Sequence, residues 1–442
     1  MTAGLIAALR RSGLAVQPFK CGPDYIDPGY HSRAAGRPCR NLDSWMLADA
    51  QVAAAFNRAC RGADIAVVEG VMGLFDGSSF TDERASAAQI AKLLGAPVLL
   101  VLDISGAARS AAAIAFGFSR LDPAVRVGGC VLNLAGGEGH ARGCAEAIAQ
   151  LAGLPVLGWL PRDSALAVPE RHLGLVMDGE RAEPEALIAA LAGAVESRFD
   201  LEALVRLART ATGPACAEPV APRPSRGGEP APAPLLAVAR DDAFCFYYPD
   251  NIDLLEAAGA RIAFFSPARG ERLPAGSAGV YLGGGYPELH SGAIAANSGF
   301  LADLRALHAR GAPLFAECGG FMVLAESLVD TDGRRHTMAG LVPGAVRMTP
   351  QLAALGYRRA TAVRANLLAE AGAILRGHEY HCSVWEPPEP AVANAWMLSG
   401  SADAPSVPAG YAEGNLLASY LHIHFGQDPA LAERFVARLC AA

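Results

Sequence analysis

Cys318 sits in the run PLFAECGGFMVLAESL. A short apolar strand, Leu314–Ala316, should run into Glu317-Cys318-Gly319-Gly320. A helix should follow, marked by Phe321, Leu324 and Leu328 at spacings of three and four. A residue at such a turn is pushed out over the carboxyl end of its sheet. The glycines permit tight backbone, and the N–H groups there can face an oxyanion. A helix start also favours thiolate over thiol. Buried structural cysteine is the ordinary reading, and it suffices for the other cysteines. At Cys318 the paired glycines point to a nucleophile, and a nucleophilic thiol needs a base. ASYLHIHF supplies His422 and His424 on one strand, where alternation puts both on one face. Gly283-Gly284-Gly285-Tyr286 follows the strand Val280–Leu282; it reads either as a glycine-rich turn or as backbone donors for a tetrahedral oxyanion.

A second group of reactive side chains lies nearer the start. CGPDYIDPGYH carries Asp24 and Asp27, and EGVMGLFDG carries Glu69 and Asp76. Each run leaves the carboxyl end of an expected strand, where loops of a parallel sheet converge on a ligand crevice. Carboxylates gathered there could hold Mg²⁺, which takes oxygen ligands together with phosphates. Lys20, ending the first of those strands, could meet phosphate or a substrate carboxylate. Asp before Pro or Gly also simply makes a turn, so Asp27 and Asp76 keep both readings; Glu69 at a strand end has less structural excuse.

The elements that must position these groups alternate. Strands are expected at Leu14–Phe19, Asp64–Val68, Pro97–Leu102, Val127–Leu132 and Pro155–Leu160, with helices at Glu83–Leu94 and Ser110–Ser119. Continuously apolar strands alternating with helices imply a doubly wound parallel sheet. The pattern recurs with strands at Leu235–Ala239, Arg261–Phe265, Val280–Leu282 and Leu314–Ala316, and helices at Ile252–Ala258 and Phe300–Arg310. Past Gly340 it becomes richer in strand. Between Thr210 and Pro234 proline is frequent and periodicity is lost, which marks an extended linker. The expected architecture is α/β: two doubly wound, mostly parallel-sheet domains, 1–209 and 235–442, joined by the Pro/Ala-rich segment 210–234.

Composition narrows the class. The chain has 442 residues, 52% hydrophobic and 18% charged, ample for two cores. Net charge is −7 without a basic stripe, so nucleic acid is not expected as a partner. No apolar run is long enough for a membrane span. Arg10 and Arg11 follow the first apolar stretch, the reverse of a signal peptide. The 10 cysteines form no Cys-x-x-Cys pair, which fits a reducing cytoplasm and gives no cysteine metal site.

YLGGGYPELH, FAECGGFMVL and ASYLHIHF resemble the three signatures of the class I glutamine amidotransferase domain, in its corrinoid-synthase branch. That resemblance implies Cys318 as nucleophile toward the side-chain amide of glutamine, His422 as the histidine that activates it, and Gly284, Gly285 and Gly319 around the oxyanion. Many such domains carry glutamate two residues after the histidine. Here His424 stands in that place, so a Cys–His dyad is expected and the group orienting His422 is open.

FKCGPDYIDPGYH, NLDSWM, EGVMGLFDG and LPRDSALAVPERHLGL are similar to the cobyrinic acid a,c-diamide synthase pattern, over nearly the whole chain. The resemblance implies a dethiobiotin-synthetase-like ATP domain joined to the amidotransferase. Ammonia would pass internally to a corrin carboxylate activated by ATP, with the a and c acetates amidated in turn. Lys20, Asp24, Asp27, Glu69 and Asp76 would serve ATP, Mg²⁺ and substrate, with Glu69 and Asp24 as the metal ligands. Glutamine, ATP and the corrin are the implied partners, and a homodimer is left open. A cobyric acid synthase, a nickel-tetrapyrrole synthase or a relative with a degenerate ATP site are the competing readings.

Proteins of this pattern open with a strand and a GxxxxGK[ST] loop, which occurs nowhere in this sequence. Leu5, Ile6 and Leu9 read as the helix that follows such a loop, ended by Gly13. The expectations are a start codon some twenty codons too late, counting a strand and the loop, and a seam of apolar surface in the sheet.

Overall fold

The computed structural model describes residues 1–168, 170–171, 174–175, 177, 183–214, 233–388, 393–400 and 405–441. The chain divides into two units, Met1–Val220 and Ala221–Ala442. Residues 215–232, most of the stretch read as a linker, lie outside the described residues. So do Pro169, His172 and Leu173 of the LPRDSALAVPERHLGL run.

The first unit runs α1 (Thr2–Arg11), β1 (Val16–Cys21), α2 (Ile26–Ala35), β2 (Arg40–Leu42), α3 (Asp49–Ala59), β3 (Ile65–Glu69), α4 (Ala87–Leu93) and β4 (Val98–Asp103). It continues with α5 (Ser110–Arg120), β5 (Val127–Ala135), α6 (Glu138–Ala152), β6 (Val156–Pro161), the short β7 (Glu170–Arg171) and β8 (Gly174–Leu175), α7 (Pro184–Glu196) and α8 (Leu201–Ala208). The apolar runs do become parallel strands, in two three-stranded sheets ordered β2-β1-β3 and β4-β5-β6. β1 is buried along its whole length, whereas β3 is half-buried throughout. β3 and β4 are both sheet edges, and on β4 Val101 is 51% exposed.

Helix α1 lies against both sheets. Its Ile6, Ala7 and Leu9 pack with Val16 of β1 and Leu191 of α7, while Ala8 packs with Val131 of β5 and Leu160 of β6. A Cβ on Gly4 would come within 2.8 Å of the Leu191 carbonyl oxygen, so α1 and α7 meet backbone to backbone. The helix expected from Glu83 begins only at Ala87, because Ser86 turns its side chain onto the Gln89 N–H and caps there. β2 was not foreseen: three residues carry no periodicity.

The second unit holds β9 (Leu235–Ala239), α9 (Pro249–Ala257), β10 (Arg261–Phe265), β11 (Ser277–Leu282), α10 (Ser291–Ala296), α11 (Ser298–Ala309), β12 (Leu314–Glu317) and α12 (Gly319–Leu324). Then come β13 (Ala325–Val329), β14 (Arg335–Thr337), β15 (Val342–Met348), β16 (Ala354–Ala362), β17 (Ile374–His381), β18 (Ser383–Glu386), β19 (Trp396–Ser399) and β20 (Val407–Ala409). The unit closes with β21 (Tyr411–Glu413), β22 (Leu416–Ser419), β23 (His422–Ile423) and α13 (Ala430–Cys440). Its main sheet is ordered β10-β9-β11-β12-β22-β21 and is parallel except for β21. The strand-rich region past Gly340 resolves into two further sheets, β14-β13-β15-β18 and β20-β19-β16-β17-β23. Tyr281, Phe315, Trp396, Phe425 and Phe435 are fully buried in one core that spans the main sheet and the five-stranded sheet. Each such aromatic contributes roughly 1.5–3 kcal/mol by burial. This core fixes the carboxyl ends of β11 and β12 relative to β23. Among the described residues, no helix is long and apolar enough to cross a membrane.

Candidate active site

β12 ends at Glu317 and α12 begins at Gly319, so Cys318 is the whole of the turn between them. Its φ of 46° and ψ of −101° lie where a non-glycine residue is strained, a cost that neighbouring contacts must hold in place. They do so through backbone. The Cys318 N–H donates to the Ser419 carbonyl at 2.7 Å, and the Gly320 N–H donates to the Gly283 carbonyl at 2.9 Å. The loop after β11 is thereby laced to the start of α12. A Cβ on Gly319 would approach the Gly285 nitrogen to 3.1 Å, and one on Gly320 would strike the Leu282 carbonyl oxygen at 2.2 Å. Gly285 has a φ of 151°, and a Cβ there would meet the Ala243 carbonyl oxygen at 2.3 Å. Gly284 forms an isolated antiparallel bridge with Phe246, which holds the loop in place.

His422 closes the third side. A Cβ on Gly284 would lie 2.6 Å from its Cε1, so the ring rests directly on that glycine. β23 pairs His422 with His378 of β17, and the two rings stack at 4.9 Å and 18°. The Tyr248 hydroxyl lies 3.3 Å from His378 Nδ1. The structure therefore brings Cys318, Gly284, Gly285, Gly319 and His422 together. The expected shared strand face for His422 and His424 needs correction. The ladder stops at Ile423, and His424 caps the next turn, its Nδ1 accepting the Gly426 N–H at 3.0 Å while its ring packs on Tyr248.

Glu317, missed as a functional candidate, is wholly buried beside Cys318. It accepts the Tyr281 hydroxyl at 2.6 Å and the Ile423 N–H at 2.8 Å, so it ties β23 to β12. Burial pushes its carboxyl up to about 8, against both hydrogen bonds. Burial and the carboxylates of Glu288, Glu317 and Glu379 push the Cys318 thiol well above its ordinary range, although the Gly319 N–H hydrogen bond opposes this. The start of α12, a helix of six residues, favours the thiolate, and burial acts against it. Burial, with the charge of His381, lowers His422 to about 3. Both shifts favour the uncharged forms of the two side chains.

In the first unit, Lys20 at the end of β1 projects among carboxylates. Its Nζ lies 2.5 Å from Asp27, 2.9 Å from Glu69 and 3.5 Å from Asp24, with the side chain 6% exposed. The CGPDYID run folds this way because Asp24 accepts the N–H groups of Ile26 and Asp27 and so opens α2. Asn41 fixes the same loop by donating to the Gly22 and Asp24 carbonyls. His31, which sequence reasoning passed over, meets Glu69 at 2.6 Å. Burial disfavours the Glu69 charge, but His31 and Lys20 outweigh it and hold its pKa well below the carboxylate range. Burial likewise disfavours the Lys20 charge, and Glu69, Asp24 and Asp27 more than restore it. Asp76 does not join: it is exposed and accepts the Gly73 N–H of its own loop at 2.8 Å. As metal ligands, Glu69 and Asp24 have suitable oxygens. Lys20 fills the space among them, however, and among the described residues no group of three or more acidic, His or Cys side chains is placed to hold an ion. The arrangement holds an ammonium and does not fit Mg²⁺.

A strained cysteine over a glycine cradle with a neutral histidine, on a parallel sheet, is the apparatus of a glutamine amidotransferase, here on one chain with a second α/β unit. Residues 236–430 match the CobB/CobQ-like glutamine amidotransferase domain, and residues 1–176 match the CobQ/CobB/MinD/ParA nucleotide binding domain. The chain belongs to the family of the cobyrinate and hydrogenobyrinate a,c-diamide synthases. It is 44% identical to the cobyrinate a,c-diamide synthase of Gloeobacter violaceus, covering 100% of this chain and 94% of that one. It is 43% identical to that of Dehalococcoides mccartyi strain CBDB1, over 99% and 94%. Identity to the hydrogenobyrinate a,c-diamide synthase of Streptomyces coelicolor is 43%, over 98% and 93%.

Proposed function

We propose that this chain is an ATP- and glutamine-dependent ligase that amidates the a and c acetate carboxylates of cobyrinic or hydrogenobyrinic acid in cobalamin biosynthesis. The observation that carries the reading is the likeness along both units to synthases of that name, joined to the Cys318–His422 arrangement. As the thiol attacks the side-chain amide of glutamine, His422 takes the Sγ proton, and the Gly284 and Gly285 N–H groups receive the oxyanion. The proton then goes to the departing ammonia. A γ-glutamyl thioester remains, and water hydrolyses it to glutamate.

In the other unit, a corrin carboxylate attacks the γ-phosphorus of ATP and ADP leaves. Ammonia adds to the acyl phosphate, and inorganic phosphate leaves. A carboxylate needs this activation because its own oxygen is a poor leaving group. Lys20, Asp24, Asp27 and Glu69 stand at the carboxyl ends of β1 and β3, where a parallel sheet binds its ligands, and we assign them to nucleotide and substrate. We infer that Mg²⁺ enters with ATP and is not held by Glu69 and Asp24 while Lys20 lies between them. Every described cysteine is free, which suits a reducing cytoplasm.

The test is incubation of the purified chain with ATP, glutamine and each corrinoid acid, with mass spectrometry of the product. The small mass loss of two carboxyl-to-amide conversions, each exchanging OH for NH2, is expected. Glutamine hydrolysis without any change in either corrinoid would overturn the reading.

A further inference from the structure

Beside the nucleophile lies a polar cluster that the mechanism above does not use. β17 pairs His378 with His422, so by alternation its Glu379 and His381 fall on the opposite face. A chain of contacts runs from there to α12, the helix that Cys318 opens. The Phe321 ring of α12 lies 4.9 Å from Tyr420, and Tyr420 stacks on His381 at 3.7 Å. His381 Nε2 is 4.0 Å from Glu379 Oε1, and Glu379 Oε2 accepts from Arg358 Nε at 2.8 Å. Ser383 donates to the Tyr420 hydroxyl at 2.8 Å and lies 3.9 Å from Met322 Sδ on α12. The Glu379 and Arg358 side chains are only 10% and 20% exposed. A pair so enclosed contributes little net stability, because desolvation offsets the attraction. Yet one edge of each partner is unused: among the described residues, Glu379 Oε1 and Arg358 Nη2 make no hydrogen bond.

We propose that Glu379 and Arg358 recognise the amino-acid head of the amide donor, Glu379 taking its α-ammonium and Arg358 its α-carboxylate. This rests on the glutaminase reading of Cys318. An α-amino acid presents both charges on one carbon, and an adjacent acid and base with open edges match that pattern. Burial raises the Glu379 carboxyl against the charge of Arg358, and a bound ammonium would restore its charge. The same ammonium would offset the negative field on Cys318, so the thiol would become easier to deprotonate when the correct substrate is seated.

The experiment compares glutamine with two truncated amides, glutaramate (no α-amino group) and 4-aminobutanamide (no α-carboxylate). Ammonia release is measured for the full chain, Glu379→Gln and Arg358→Gln. Unaltered enzyme should prefer glutamine to either analogue by on the order of 100-fold in kcat/KM, the scale of a buried charge left unpaired. Glu379→Gln should raise the KM for glutamine about 10- to 100-fold, with kcat within a few-fold. It should also collapse the preference over glutaramate while keeping the preference over 4-aminobutanamide. Arg358→Gln should do the reverse.

Labelling of Cys318 guards against misfolding. Glu379→Gln should slow modification by 6-diazo-5-oxo-norleucine, which carries the head group, and not by iodoacetamide, which lacks it. Parallel changes with both reagents, or unchanged substrate ratios in a variant that still hydrolyses glutamine, would overturn the assignment. Unaltered protein that neither hydrolyses glutamine nor reacts with the diazo ketone would overturn the glutaminase reading, and this one with it.

Discussion

Replacing Gly284 with alanine tests the site at its tightest contact. The new Cβ would stand 2.6 Å from His422 Cε1, whereas carbon atoms rest at about 3.5–4.0 Å. One side must therefore give by roughly 1 Å. The loop is poorly able to. The Gly284 carbonyl accepts the N–H groups of Cys245 and Phe246, the Gly283 carbonyl accepts Gly320, and the Gly283 N–H donates to the Tyr247 hydroxyl. Gly284 has no positive φ, so alanine brings no backbone penalty that would confuse the result. The displacement falls on the imidazole and its stack with His378. A misplacement of about 1 Å at a reacting group costs on the order of 100-fold. We expect the glutaminase kcat of Gly284→Ala to fall by about that factor with KM little changed. Synthesis driven by ammonium salt, which bypasses this site, should persist. Gly292→Ala, where nothing lies within 4 Å of the added Cβ, should stay within about two-fold as a surface change. Wild-type turnover in a normally folded Gly284→Ala protein would refute the view that His422 works from its place on this glycine.

Cys318→Ser should abolish glutamine-dependent amidation while ammonium-dependent synthesis survives; equal loss of both in a folded protein would sink the two-site scheme. His422→Ala should reduce glutaminase turnover by on the order of 100-fold or more and His424→Ala far less, since His424 serves a turn and packs on Tyr248; the reverse order would show the wrong base was chosen. Glu69→Gln should impair synthesis more than Asp76→Asn, with glutaminase intact in both, because Glu69 belongs to the Lys20 cluster and Asp76 does not; equal effects would contradict this. His381 and His422 have folded pKa values lowered to about 4 and about 3, chiefly by burial. Below about pH 6.5 the unfolded chain takes up protons that the folded one refuses. Stability should therefore fall as pH drops from about 6.5 toward about 4, and His381→Phe should flatten that slope in thermal melts; an unchanged slope would argue against a neutral buried imidazole there.

The turn that carries Cys318 was legible because its signal is local: a strand, a cysteine and two glycines fix their own geometry within a few residues. The parallel strands were legible for a similar reason, each being an unbroken apolar run. Glu379, Arg358 and His381 were not, because they come from antiparallel strands past Gly340, where alternation blurs and no spacing links them to Cys318. His31 was hidden differently: its meeting with Glu69 joins an early helix to a distant strand end, a pairing only the sheet order creates. Asp76 shows the converse, a carboxylate in a suggestive run that satisfies its own turn. His424 was misplaced because alternation was extended one residue past the point where the ladder stops.

Helix α1 has a mechanical consequence. One of its faces belongs to the core over β1 and another to the core over β5 and β6, while β3 and β4 are each the last strand of a sheet. With no ladder of hydrogen bonds joining these two sheets among the described residues, α1 acts as a tie-rod, with α7 clamped against it at Gly4. A push on β1, where Lys20 sits, reaches β5 and β6 through α1 and α7, which both enter the two cores, rather than by spreading from strand to strand. The two sheets are thus coupled by side-chain packing on helices and not by backbone pairing.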